Sequence, residues 1–229
     1  QAKAPTSDEM VQAALRLKDL RDRALLANPL LNFEKLLVIR RKSDKLGLPQ
    51  NWQGNCALPR SGYDNELAVL SPVGRASRLT TLHRPEGGRF IGDVDLHWNA
   101  DRLLFSSTDE SNRWQIFELT LADGKVRQVT KEPAEVDNYD ACYMPNGRIV
   151  FGSTACFHGV PCVGGGNQVA NLFTAEMDGS GARQLCFDQD HNWCPTMLNN
   201  GQVMFTRWEY SDSPHYFTRL LMSMNPDGT

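Results

Sequence analysis

The stretch Arg207-Trp208-Glu209-Tyr210-Ser211-Asp212 concentrates more reactive and recognition-competent side chains than any other part of the chain. Arg207 and Glu209 can pair as charges, while Trp208 and Tyr210 offer flat surfaces to a sugar, a haem edge or a partner chain. A plainer reading has the charges tying neighbouring sheets together and the aromatics packing a sheet edge. Cys156-Phe157-His158-Gly159-Val160-Pro161-Cys162 is a second focus. Its Gly and Pro suit a compact hairpin that a disulfide between Cys156 and Cys162 would close, and Cys186 with Cys194 could clip another segment. Alternatively Cys142 and Cys194 are small core hydrophobes. Cys156, Cys162, His158 and His191 would hold a soft metal only as reduced thiols, and their spacing matches no zinc pattern, so no metal is assigned. His158, His191, His215, Glu209 and Asp212 could serve a hydrolase or lyase. The sequence shows no serine–histidine nucleophile motif, nucleotide loop or metal-binding helix.

These residues lie in a chain whose patterning changes once. From Ser7 to Ala27, Met10, Ala13 or Ala14, Leu17, Leu20 and Ala24 recur at helical spacing. Thr6-x-x-Glu9 is a capping box and Asn28-Pro29 a stop, so residues 1–30 form a helical appendage. One helix cannot bury its own stripe, so it is expected to lie across the rest of the chain or against a further domain.

Beyond residue 31 the period becomes two and the chain repeats. Asp93–Trp98 leads through a turn into Arg102–Ser106; Asn138–Met144 leads through Pro145-Asn146-Gly147 into Arg148–Gly152; Asn192–Leu198 leads through Asn199-Asn200-Gly201 into Gln202–Thr206. Asn-Gly turns accept the positive φ that tight hairpins need. Third strands follow at Trp114–Leu119, Asn171–Met177 and Arg219–Met224, and fourth strands at Lys125–Thr130 and Ala182–Phe187. Four antiparallel strands recurring every ~40–50 residues are the blades of a β-propeller, with a twisted sandwich as the competing arrangement. Blades are expected at 31–84, 92–131, 137–188 and 191–229, an all-β partial propeller of three to four blades. The first lacks an innermost strand and the last an outermost one. A ring must close to hide its edges, so the remainder of the same polypeptide or a second copy should complete it.

Composition narrows the setting. A net charge of −3 over 229 residues gives no reason to expect nucleic acid or an anionic membrane surface as partner. No apolar run is long enough for a membrane span. Six dispersed cysteines suit an extracytoplasmic, periplasmic or secreted protein, and the opening Gln1-Ala2-Lys3-Ala4-Pro5-Thr6 resembles a trimmed product. No CxxC or CxxCH occurs, which leaves zinc ribbons, thioredoxin-like chemistry and covalent haem within these residues without support.

The units PNGRIVFGS and MDGSGARQL resemble the TolB-like and WD40-like repeats of periplasmic propellers. The longer pieces LLNFEKLLVIRRK, GLPQNWQGN, PNGRIVFGSTACFHGVPC and VMFTRWEYSD are similar to the middle region of the hydrazine synthase alpha subunit and its secreted relatives. That resemblance implies a propeller flanked, in the namesake enzyme, by haem domains; without CxxCH, no haem role transfers to any residue here.

Propeller strand order puts every long excursion on one face: 41–65, 84–92, 131–137, 154–170, 188–191 and 208–218. Trp52, Phe157, His158, His191, Arg207, Trp208, Glu209, Tyr210, Asp212, His215 and Tyr216 belong to it or border it. First strands line the central channel, giving Asp93, Asp95, His97, Asn138, Asp140 and Asn192 as lining candidates. Such an acidic ring hydrogen-bonds exposed strand backbone or holds one calcium ion; no other cofactor is expected within this chain. The functional expectation is a scaffold or binding module that presents its loop-rich face to a partner domain, protein or glycan. The alternative is an enzyme domain, haem-dependent or not, whose site is built from the face loops and from chain beyond residue 229.

Overall fold

The computed structural model describes residues 6–229, except 51, 75, 132, 134, 161–162 and 211–218. Helix α1 runs Ser7–Leu26. The Thr6 hydroxyl accepts the Glu9 N–H at 3.3 Å, and the Glu9 carboxylate accepts the Thr6 N–H at 2.7 Å. These reciprocal bonds satisfy two donors that a helix start leaves orphaned. None of its residues is buried, so the stripe expected to be covered stands open, with Leu17 68% exposed. No described helix is long and apolar enough to cross a membrane.

Among the described residues, fourteen strands follow in four antiparallel sheets. The first contains β1 (Leu36–Arg40), β2 (Glu66–Ser71) and β3 (Arg78–His83). The second runs β4 (Gly92–Leu96), β5 (Arg102–Thr108), β6 (Trp114–Thr120) and β7 (Val126–Gln128). The third runs β8 (Asn138–Tyr143), β9 (Arg148–Ser153), β10 (Asn171–Glu176) and β11 (Arg183–Gln184), and the fourth β12 (Asn192–Met197), β13 (Val203–Arg207) and β14 (Leu220–Met224). Each sheet is a simple meander. By contact density, Gln1–Val38 with Ala68–Thr81 form one compact unit and Ile39–Leu67 with Leu82–Thr229 a second.

Within the second unit, alternation along the strands builds the core. Ala141, Tyr143, Ile149, Phe151, Phe173 and Ala175 of the third sheet pack on Leu104, Ile116 and Val129 of the second. Their immediate neighbours Cys142, Val150 and Leu172 face the opposite way and pack on Val203, Phe205 and Met224 of the fourth. Successive strand residues point to opposite faces, so one sheet is covered on both sides by its sequence neighbours. Sheets stacked face to face in chain order are propeller blades, and Phe105, Phe151 and Phe205 hold equivalent second-strand positions. This is an incomplete propeller, not a sandwich.

Candidate functional site

The long segment 41–65 does not stand off as an open loop. Both Arg60 guanidinium nitrogens bond the Asp137 carboxylate, at 2.9 and 2.8 Å. Asp137 is fully buried and also accepts the Trp114 N–H at 3.1 Å. Such a fork is favourable only because both carboxylate oxygens find donors. Gly54 lies so close to the Tyr139 hydroxyl that an added Cβ would come within 2.2 Å of it. The Cys56 thiol contacts that hydroxyl at 3.7 Å and the Gln168 carbonyl at 3.4 Å. Tyr63 of this segment packs with Phe90, Trp114, Tyr139 and Ala170 in one apolar cluster. Segment 41–65 is therefore docked on Asp137, Tyr139 and Gln168.

The innermost strands carry a repeated device. Pairing slips between Gly92 and Asp95, between Tyr139 and Cys142, and between Trp193 and Thr196. Asp93, Asp140 and Cys194 occupy these bulges with φ of 49°, 58° and 54°. Residues other than glycine rarely adopt that region, and a bulge re-aims the side chains around it. The Asp140 N–H donates to Ser106 Oγ at 2.8 Å. The Asp140 carboxylate accepts the Cys194 N–H, and Asp93 accepts from the Asn55 amide. Burial first, then the neighbouring Asp93 charge, push the Asp140 carboxyl up to about 7. Asp93 is also raised, by burial, against the opposing pull of Ser106, Asn55 and Arg41. The two carboxylates thus face N–H and O–H donors and the Arg41 cation.

Bulges break strict alternation, so the channel-lining candidates do not form one ring. The Asp95 carboxylate accepts the Tyr143 N–H at 2.9 Å. His97 lies 2.7 Å from an Arg102 guanidinium nitrogen and packs edge-on against Tyr143. Asn138 and Asn192 are fully buried, with their amide nitrogens bonded to Gln115 and to Asn171 and Asp188 respectively.

The face candidates separate similarly. Trp208 is buried with Val160 and Val169, and Trp52, Cys156, Trp193 and Tyr210 pack around them. Arg207 pairs with Asp188 at 2.6 Å and meets Glu209 at 2.7 Å as a charge contact rather than an aligned hydrogen bond. His191 accepts the Ala170 N–H on Nδ1 at 3.1 Å and lies against Trp193 and Trp208. Burial pushes it down to about 3, so its imidazole is neutral. The densest sequence stretch is thus mainly packing. Phe157 differs: it is 66% exposed, with φ of 55°, and the half-buried His158 follows it. Asp212, His215 and Tyr216 lie outside the described residues.

The expected bridge between Cys186 and Cys194 is not formed. Cys186 Sγ lies 3.8 Å from Met224 Sδ in the core between the third and fourth sheets, while Cys194 sits in the β12 bulge. Cys156 carries a free thiol 3.3 Å from the Val169 carbonyl, and Cys162 is outside the described residues. Burial of Cys56 and Cys186 raises both thiols to about 11, which leaves them unreactive at neutral pH. Sequence reading missed Arg60, Asp137, Asn55 and Ser106 altogether. The alignable signal was Asp93, Asp140 and Cys194 recurring at one place in each first strand.

No family model and no curated protein matches this sequence. Solved structures do resemble it. A TolB-type protein from Agrobacterium tumefaciens superposes with a TM-score of 0.54 at 17% identity, over 72% of this chain and 54% of that one. Hydrazine synthase from Kuenenia stuttgartiensis superposes with a TM-score of 0.65 at 12% identity, over 85% of this chain and 31% of that one. TolB from Acinetobacter baumannii gives a TM-score of 0.51 at 13% identity, over 70% and 35%. The chain thus spans about half or less of each of these structures. Its fold is that of an incomplete TolB-like β-propeller.

Proposed function

We propose that this chain is a propeller scaffold or binding module that presents the face bearing Phe157 to a protein or glycan partner outside the cytoplasm. Further chain, from the same polypeptide or a second copy, completes the ring. One observation carries the reading: segment 41–65 is pinned by the Arg60–Asp137 fork, which makes this face rigid, while Phe157 stays 66% exposed on it. A large apolar side chain held out from a rigid surface is the usual anchor of a protein interface. The location outside the cytoplasm rests on the resemblance to secreted propellers alone, because the described cysteines are free thiols.

A photo-reactive amino acid placed at Phe157, in the intact polypeptide, should crosslink to a partner in its native setting. The same probe at Asn146, in the β8–β9 turn expected on the opposite face, should not. Crosslinks from Asn146 alone, or from neither site, would remove the proposal.

A further inference from the structure

The linker between the first and second sheets carries a cation that is not engaged. Arg84 of this linker pairs with Asp64, but the half-buried Arg89 makes no ion pair or side-chain hydrogen bond with any described residue. Its place is fixed nonetheless. The Gly88 carbonyl accepts the Tyr63 N–H at 2.9 Å, and the Arg89 carbonyl accepts from the Asn65 amide at 3.4 Å. Arg89 has extended backbone, with φ of −68° and ψ of 155°, and its successor Phe90 is buried in the apolar cluster with Tyr63. Consecutive side chains on extended backbone point to opposite sides. Arg89 accordingly turns away from that cluster and lines a recess of about 280 Å³ beside the second sheet.

The recess has an aromatic wall. Phe105 and Phe117 stand opposite each other in the β5–β6 pairing, with their rings stacked at 5.6 Å. The His83 ring lies 5.7 Å from that of Phe105, and burial lowers its pKa, so it adds a neutral ring. Glu86 and Glu110, both exposed, line the same recess. No ion pair joins either of them to Arg89, so the positive and negative poles stand apart. Arg89, Glu110 and Phe117 also border an adjoining recess of about 300 Å³, which makes the space one cleft.

The third sheet shows the same place without charges. Phe151 and Phe173 pair across β9 and β10 as Phe105 and Phe117 do across β5 and β6, and they line a recess of about 180 Å³ that holds no charged residue. The aromatic pair therefore belongs to the repeat, whereas Arg89, Glu86 and Glu110 are additions that packing does not require. A cation half removed from water without a counter-charge is unfavourable. A ligand carboxylate would supply that charge through a forked contact. The neighbouring carboxylates would repel a dianion such as phosphate, but they suit a ligand that brings its own cation.

We propose that this cleft binds a free α-amino acid with an aromatic side chain, its carboxylate on Arg89, its ammonium facing Glu86 and Glu110, and its ring against Phe117. An apolar cavity of ~150 Å³ takes up benzene, so a recess of about 280 Å³ has room for such a ring and a short charged head. Phe117 is only half-buried and offers the ring an offset or edge-on partner.

The test compares phenylalanine with phenylpropanoate, which lacks the ammonium, and phenylethylamine, which lacks the carboxylate, by calorimetry on the intact polypeptide. Phenylalanine should bind at least about tenfold more tightly than either, the worth of one charge-assisted hydrogen bond. Arg89→Gln should leave the melting temperature unchanged, since the guanidinium has no described partner to lose, and should erase the preference over phenylethylamine. Glu86→Gln combined with Glu110→Gln should erase the preference over phenylpropanoate. Both of those positions are exposed, so the double variant decides if Arg89→Gln does not fold. No binding of phenylalanine, equal affinities for all the probes, or preferences that survive these substitutions would overturn the proposal.

Discussion

Asp140 and Asp93 tie two inner strands through Ser106, and one of them holds its proton well above the ordinary carboxylate range. The unfolded chain releases that proton near pH 4, whereas folded Asp140 releases it near 7. Between those values the native state binds more protons than the unfolded one, so stability is highest below about pH 4 for this group. It falls as the pH rises to about 7 and is flat beyond. Asp140→Asn keeps an acceptor for the Cys194 N–H and removes the titration. The variant should gain on the order of 2–4 kcal/mol relative to the parent between pH 4.5 and 8, read from denaturant midpoints at each pH. An unchanged pH profile would show that the Asp140 carboxyl is not raised by its burial. At another buried carboxylate, Arg60→Ala would strand Asp137 without its fork and should cost about 3–5 kcal/mol in urea unfolding.

Turns between strands are short, and their glycines are not equivalent. Gly147 has φ of 82° with nothing within 4 Å of an added Cβ. Gly147→Ala should therefore cost only the left-handed backbone penalty, roughly 1–2 kcal/mol. Gly179 has φ of 86°, and an added Cβ would stand 2.2 Å from the Val129 carbonyl oxygen. Its turn abuts the neighbouring sheet, so Gly179→Ala must also displace backbone. Thermal unfolding should rank Gly179→Ala clearly below Gly147→Ala, and equal losses would show that the two sheets do not meet there. The Asn-Gly turns were legible in the sequence because Asn and Gly answer a local requirement for φ. The close approach at Gly179 was not, since the clash comes from residues some fifty positions away along the chain.

At the scale of the second unit, each sheet interface is a separate layer of side chains. Phe151 belongs to the layer shared with the second sheet, and its neighbour Val150 to the layer shared with the fourth. Truncation of a buried Phe costs about 3–5 kcal/mol. In a stack of near-neighbour interfaces that loss is felt first across the damaged layer. Phe151→Ala should accelerate hydrogen exchange in β5 and β6 more than in β13, and Val150→Ala should do the reverse. Exchange rising equally in all three strands under both substitutions would mean that the unit opens as one body.

Sequence alone determined the repeat, the strand order and the alternating faces, because period-two burial and turn chemistry are written in neighbouring residues. The helix cap at Thr6 and Glu9 was legible for the same reason. Tertiary structure decided which of the polar and aromatic residues are free to act. Trp208 and His191 read as recognition groups but are buried together, Cys186 and Cys194 never meet, and Arg60 finds Asp137 across a long stretch of chain. Burial and pairing of this kind depend on which sheets stack and where segment 41–65 comes down. Both are set by long-range packing free energy, which local spacing does not encode.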